Sequence, residues 1–235
     1  MPFIGNKPTA VPLTSSDLED NIVTSAKITD GTIALADLSA TGTKDATTFL
    51  RGDNTFAEAG GGAFTFLART VVSSAVSEVE FDNFINTSLY DNYMIQFNGA
   101  KPVTNDQNLQ IQEFVSGSYR TSNYDVHIAK VRTNSNTYDA KNGETETGFY
   151  LTNAQEETGT YAGNGTAFLY DLANSSRYTM CTVNSFYRRG VDNKWYTSFG
   201  GGVSSGTGEA TKIRINYSAG NIAQGEFALY GVNKS

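Results

Sequence analysis

The sequence predicts a mainly β protein: a C-terminal β-sandwich, jelly-roll-like, preceded by an extended N-terminal arm and a short intertwined shaft with a small helix. Three observations lead there. Short stretches of alternating apolar and polar residues recur after residue 64, as in KIRINY (212–217), where Ile213, Ile215 and Tyr217 take one side and Lys212, Arg214 and Asn216 the other. Clusters of Gly, Asn, Ser and Asp separate these stretches, and many short strands at such spacing predict a sandwich or jelly roll. The chain also changes character at Gly60–Gly61–Gly62, poor in aromatics before and rich in them after.

The elements follow in order. Residues 1–13 carry Pro2, Pro8 and Pro12, which favour an extended arm. Phe3, Ile4, Val11 and Leu13 on that arm have no local core and read as an anchor for another protein. In SSDLEDNIVTSAKI, Ser16 and Glu19 fit a capping box. Leu18, Ile22 and Ala26 then share a helical face, which predicts a helix of two or three turns. Ile28, Ile33 and Leu38 recur every five residues, matching neither strand nor helix. So few apolar residues cannot build a core for residues 1–59. That leaves two options, disorder or burial of Leu18, Ile22, Ile28, Ile33 and Leu38 against identical chains around an axis, and the regular spacing of single apolar residues between turns favours the second. TTFLRGDNTFA (47–57) reads as strand, turn, strand. Residues 60–63 form a glycine linker, and 64–235 form the β-domain. Its clearest strands are 93–97, 108–115, 126–131, 166–172, 177–183, 212–217 and 226–232.

Composition excludes several functions. Charged residues make up 17% of the 235, below the roughly 25% of ordinary domains, so Thr, Ser, Asn and Gly must make the surface polar. A net charge of −7 argues against nucleic acid, whose phosphates require clustered Lys and Arg. One cysteine, Cys181, allows no internal disulfide, and with one histidine, His127, no ordinary zinc site forms in one chain. No cofactor is expected. No apolar run is long enough for membrane insertion, and the N-terminus lacks a signal-peptide pattern. Synthesis in the cytoplasm is expected.

No catalytic constellation emerges, and the chain reads as a non-enzyme. Glycoside hydrolysis needs two carboxylates across a cleft; acids cluster at Glu144, Glu146, Glu156 and Glu157, and they read as solvated loop residues. His127 reads as part of a polar strand face. Arg51–Gly52–Asp53 reads as a hairpin tip. The binding candidates are aromatic. Tyr119, Tyr124 and Tyr138 lie in polar turns, and Tyr187, Trp195 and Tyr196 could stack on a sugar or a partner surface.

DNIVTSAKITDGTIALADL resembles phage tail-fibre segments of the form I-x-S-x-K-I-x-D-G-T-I. ATTFLRGDNTFA resembles the T-F-L-R-G-D-G-T-W element that precedes the C-terminal domain of many phage fibres, with Asn54 for Gly and Phe56 for Trp. YDNYMIQFNGAKP, TAFLYDLANSSRYTM and EFALYGV resemble tip domains of marine phage fibres. The resemblance implies a homotrimeric tail fibre in the virion, bound through its N-terminus to another virion protein. Its tip would meet a host surface glycan or outer-membrane protein. Two alternatives stand beside it: a head fibre or capsid decoration protein, and a surface-glycan hydrolase.

Overall fold

The computed structural model describes residues 14, 20–37, 39–58, 62–133, 138–157 and 161–234. The chain divides into two compact units, Met1–Gly60 and Gly61–Ser235. The anchor residues Phe3, Ile4, Val11 and Leu13, and the shaft residues Leu18 and Leu38, lie outside the described residues.

In the first unit, no α-helix covers the described residues. Asp20 and Asn21 form a turn, and single 3-10 turns follow at Ser25–Lys27 and Leu35–Asp37. The expected helix is therefore corrected over its described part. Asn21 sits at φ 64° and Thr24 is extended, and a short helix with no packed face is marginal in water. Ile22, Ile28 and Ile33 are 38%, 39% and 57% exposed in the single chain, so its own fold gives them no core. The hairpin expected at 47–57 is present as β1 (Thr48–Leu50) and β2 (Phe56–Glu58), paired antiparallel. Its tip is closed by Asn54 N–H donating to Arg51 O at 3.0 Å and by Asn54 at φ 61°. Asp53 Oδ1 accepts from the Thr55 hydroxyl at 2.6 Å, so the Arg-Gly-Asp carboxylate is engaged in shaping the turn.

The second unit is built of β3 (Phe64–Val72), β4 (Val79–Phe81), β5 (Tyr90–Pro102), β6 (Leu109–Val115), β7 (Ser118–Tyr119), β8 (Tyr124–Arg132), β9 (Tyr138–Glu146), β10 (Phe149–Tyr150), β11 (Gly163–Tyr170), β12 (Met180–Arg189), β13 (Lys194–Ser204), β14 (Ala210–Tyr217) and β15 (Ile222–Asn233). Eight strands form one sheet in the order β3-β15-β5-β11-β12-β13-β8-β9. Five form another, β10-β6-β14-β4 with β7 on β6. All these pairs are antiparallel.

This arrangement corrects the jelly-roll-like sandwich. The wide sheet is open, with β3 and β9 at its two free edges, and neither sheet closes on itself. β11, β12 and β13 run as successive neighbours, and β8–β9 extend the same sheet as a hairpin. Alternation identifies a strand's two faces but not its neighbour, so it could not distinguish a wide open sheet from a wrapped one.

The expected strands overlap β5, β6, β8, β11, β12, β14 and β15. Several expected turns are strand instead. Lys141–Glu144 lies within β9, and Gly200–Gly202 within β13. Glycine there answers close approach between strands. A Cβ on Gly201 would collide with the Cys181 carbonyl oxygen, and one on Gly200 with that of His127.

One core serves both sheets. Ile95, Phe97, Leu169, Ile128 and Phe227 of the wide sheet are buried with Leu109, Ile111, Ile213 and Ile215 of the smaller one. Beyond β10, Leu151–Glu156 is irregular yet buried throughout. Its backbone stays satisfied, as buried polar groups must. Leu151 N–H donates to Leu109 O at 2.7 Å, Gln155 N–H to Gln107 O at 2.8 Å, and Glu156 N–H to Arg188 O at 2.9 Å. Gln155 Oε1 accepts from the Tyr217 hydroxyl at 2.9 Å, and Lys130 Nζ donates to Asn153 Oδ1 at 2.7 Å. This strap ties the end of β12 to β6.

Candidate functional site

Strand register gathers four of the six aromatic candidates at one end of the wide sheet. Tyr187 lies opposite Tyr196, Trp195 opposite Arg188, and Tyr138 opposite Val131, itself opposite Thr197. The two-residue period of a strand then divides them between faces. Tyr187 and Tyr196 point to the core side and are 0% and 3% exposed. Their rings stack at 6.4 Å. Burial pushes the Tyr187 phenol up to about 12, and its oxygen accepts from the Ser198 hydroxyl at 3.0 Å. The Tyr196 hydroxyl donates to Asp192 at 2.6 Å, and burial raises its pKa also. These two expected surface residues are corrected to internal supports.

Tyr124 is corrected likewise. It is fully buried against Phe149, with ring centroids 4.8 Å apart, and its oxygen accepts from Glu113 N–H at 2.9 Å. Burial, then the nearby Glu113 charge, raises its phenol. Tyr119 belongs to the smaller sheet. Its ring packs edge-on to Phe114 at 5.0 Å, beneath the Arg214 guanidinium at 4.1 Å, and its hydroxyl donates to Glu80. Tyr119 and Tyr124 therefore do not join the other four.

Trp195 and Tyr138 take the outer face. Tyr138 is 72% exposed. Trp195 lies flat on Phe186, with centroids 5.1 Å apart and 5° between planes, and Tyr161 meets it edge-on at 5.6 Å. The Arg188 guanidinium lies 3.9 Å from the centre of the Tyr161 ring and pairs with buried Glu156 at 3.0 Å. Phe186 remains 43% exposed. Exposed Asn184 and Thr197 flank Phe186. The result is a flat apolar platform edged by amide and hydroxyl groups. Such a surface can stack on a ring with an apolar face while hydrogen-bonding its substituents.

Sequence reasoning missed Phe186 and Tyr161. A signal for Phe186 was present: in MCTVNSFYRR it falls in phase with Thr182 and Asn184, opposite to Cys181, Val183 and Tyr187. Nothing in the sequence pointed to Tyr161, which lies just before β11 and meets Trp195 edge-on.

The wide sheet's outer face carries further rings. Phe66 meets Tyr230 at 5.7 Å, and Phe168 lies beside Phe64 and Tyr170 at 6.2 and 6.3 Å. Its Arg69 and Glu226 are paired at 2.6 Å. The acids considered for hydrolysis are dispersed. Glu156 is 4% exposed and held by Arg188, which corrects its solvated reading. Glu146 accepts from Lys141 and Tyr150 at 2.5 Å each. Among the described residues no group of His, Cys, Asp or Glu could hold a metal ion. Cys181 is buried and its thiol pushed up by desolvation. Compared with known proteins, the chain matches no family model, no curated protein and no solved structure.

Proposed function

We propose that this chain is a bacteriophage fibre protein whose C-terminal β-unit adheres to the host cell surface through the Trp195 platform. The N-terminal segment would hold it to another virion protein, and three copies would assemble around the 14–59 region. Two kinds of support meet here. The segments 20–38 and 46–57 resemble phage fibre elements, and exposed Ile22, Ile28 and Ile33 need partners outside their own chain. The observation that carries the binding role is the stacked Trp195–Phe186 pair, left open on an outer sheet face. Three linked copies turn weak single contacts into avidity, so loss of one ring per chain is multiplied across the assembly.

The test is binding of labelled intact protein to a panel of bacterial strains, followed by flow cytometry. Strains that bind it should lose at least about tenfold with Trp195→Ala or Phe186→Ala, because each aromatic contact contributes ~0.5–1.5 kcal/mol per copy. Unchanged binding by both variants, with their circular dichroism intact, would remove the platform from the host contact.

A further inference from the structure

A second feature of the wide sheet lies away from the platform. Three adjoining clefts of about 640, 420 and 650 Å³ meet at Met180. The first lies where β11 runs into the 171–177 loop and is walled by Asn92, Tyr170, Asp171, Asn174 and Arg177. The second contains Tyr178 and Val203, and the third has Gly200–Gly202 as its floor with His127, Asn142 and Glu144 at its rim. The trough is open at its centre because Gly201, the β13 residue that faces outward between Phe199 and Val203, carries no side chain, and β12 approaches too closely there to admit one. Lined from β5, β11, β12, β13, β8 and β9, the groove crosses six neighbouring strands, about 24 Å at ordinary strand spacing. Met180 and Phe186 are six residues apart on β12, so groove and platform are separated by roughly 20 Å.

We infer that this groove binds an extended, neutral polysaccharide chain. Its direction argues against a peptide strand. Peptides that add to sheets lie along a free edge, where unpaired backbone groups form a ladder. This groove runs across a face whose backbone groups are already paired between strands. Its walls instead supply planar amide, carboxylate and guanidinium groups. These meet adjacent hydroxyls with paired donors and acceptors. Tyr170 and Tyr178 add ring faces, and Tyr178 and Met180 are 49% and 48% exposed. Charge selects the polymer. The lining holds Asp91, Asp125, Glu144, Asp171 and Glu209 against Arg177 and Lys234, five acids to two bases. Both bases are engaged, Arg177 with Asp171 at 3.4 Å and Lys234 with Asp91 at 2.9 Å. A polyanionic chain would meet uncompensated like charge, whereas a neutral chain meets hydrogen-bonding groups alone.

Two reporters make the test direct, because the chain has one tryptophan and Met180, one of three methionines, lies where the three clefts meet. The intact protein, labelled at methionine methyls and at nitrogen, is titrated with neutral linear hexasaccharides of glucose and of mannose. Alginate oligomers and an uncharged decapeptide are titrated in parallel. A neutral hexasaccharide is expected to shift the Met180 methyl signal saturably and leave the Trp195 indole signal in place. Met180→Glu, at an exposed position that tolerates charge, should weaken that binding about tenfold or more. The inference is overturned if no neutral hexasaccharide moves Met180. It is equally overturned if alginate or the decapeptide moves it as well, or if Met180→Glu binds as the parent does. A shift of Trp195 alone would favour the platform and sink the groove, so the two sites fail separately.

Discussion

Arg188 joins the fold to the platform, and replacing it has a calculable cost. Its guanidinium pairs with Glu156, whose side chain is 5% exposed, while Arg188 itself is 19% exposed. Glu156 Oε2 lies 3.0 Å from Nη1 without a hydrogen-bonding angle, so the attraction is chiefly Coulombic. Arg188→Met keeps the aliphatic stem and removes the charge that faces the buried Glu156 carboxylate. Removing one member of a buried pair costs ~3–5 kcal/mol, and the partial exposure of Arg188 places this case at about 3. For a unit of this size that lowers Tm by roughly 6–12 °C. The double variant Glu156→Gln/Arg188→Met removes the buried negative charge as well and should recover more than half of the loss. Urea unfolding followed by tryptophan fluorescence reads both consequences, since Trp195 touches the Tyr161 ring that Arg188 covers. Arg188→Met should also change the native emission before any unfolding. A single variant within about 1 kcal/mol of the parent, or a double variant no better than the single, would refute the buried-pair reasoning.

Other consequences follow from the same structure. Gly201→Ala should destabilise the β-unit by about 1–3 kcal/mol, measured by denaturant midpoint, because its methyl would press on the Cys181 carbonyl oxygen. Ser185→Ala should cost about 1–3 kcal/mol, since the Ser185 hydroxyl donates to the buried Leu151 carbonyl at 2.7 Å and that acceptor would be left alone. Hydrogen bonds from Tyr119 and then Lys212 hold the Glu80 carboxyl below its ordinary 4.5. A folded pKa below the unfolded one means that this stabilisation is complete above pH 4.5 and fades as pH falls through the folded value. Glu80→Gln should therefore lower stability at pH 7, with the difference from the parent shrinking as unfolding curves are taken below pH 4.5.

Part of this account was legible in the residues. In KIRINY and YMIQF the alternation marks which side chains enter the core, and Ile213, Ile215, Ile95 and Phe97 are fully buried. The same alternation correctly read would have turned Tyr187 inward, since it shares phase with Cys181 and Val183, whereas Tyr196 shares phase with polar Ser198 and its burial was not legible. Pairing was not legible, because a strand's sequence does not name its neighbour. That is why an open sheet of eight strands replaced the expected jelly roll. The Gly200–Gly202 run reads as a turn by composition, but close strand approach explains it inside β13. Glu156 reads as solvated because its partner Arg188 lies 32 positions away and is brought near only by the strap. Of the binding site, Trp195 and Tyr138 were visible as aromatics in polar surroundings. Phe186 and Tyr161 needed the fold to bring them to Trp195.

The fibre reading is tested most directly by the solution mass of the intact protein, measured by light scattering. With a chain mass of 25.3 kDa, three copies predict 3 × 25.3, or about 75.9 kDa. Deleting residues 1–59 should then weaken assembly, because Ile22, Ile28 and Ile33 leave with them. A mass of 25.3 kDa across the accessible concentration range would contradict the trimeric fibre.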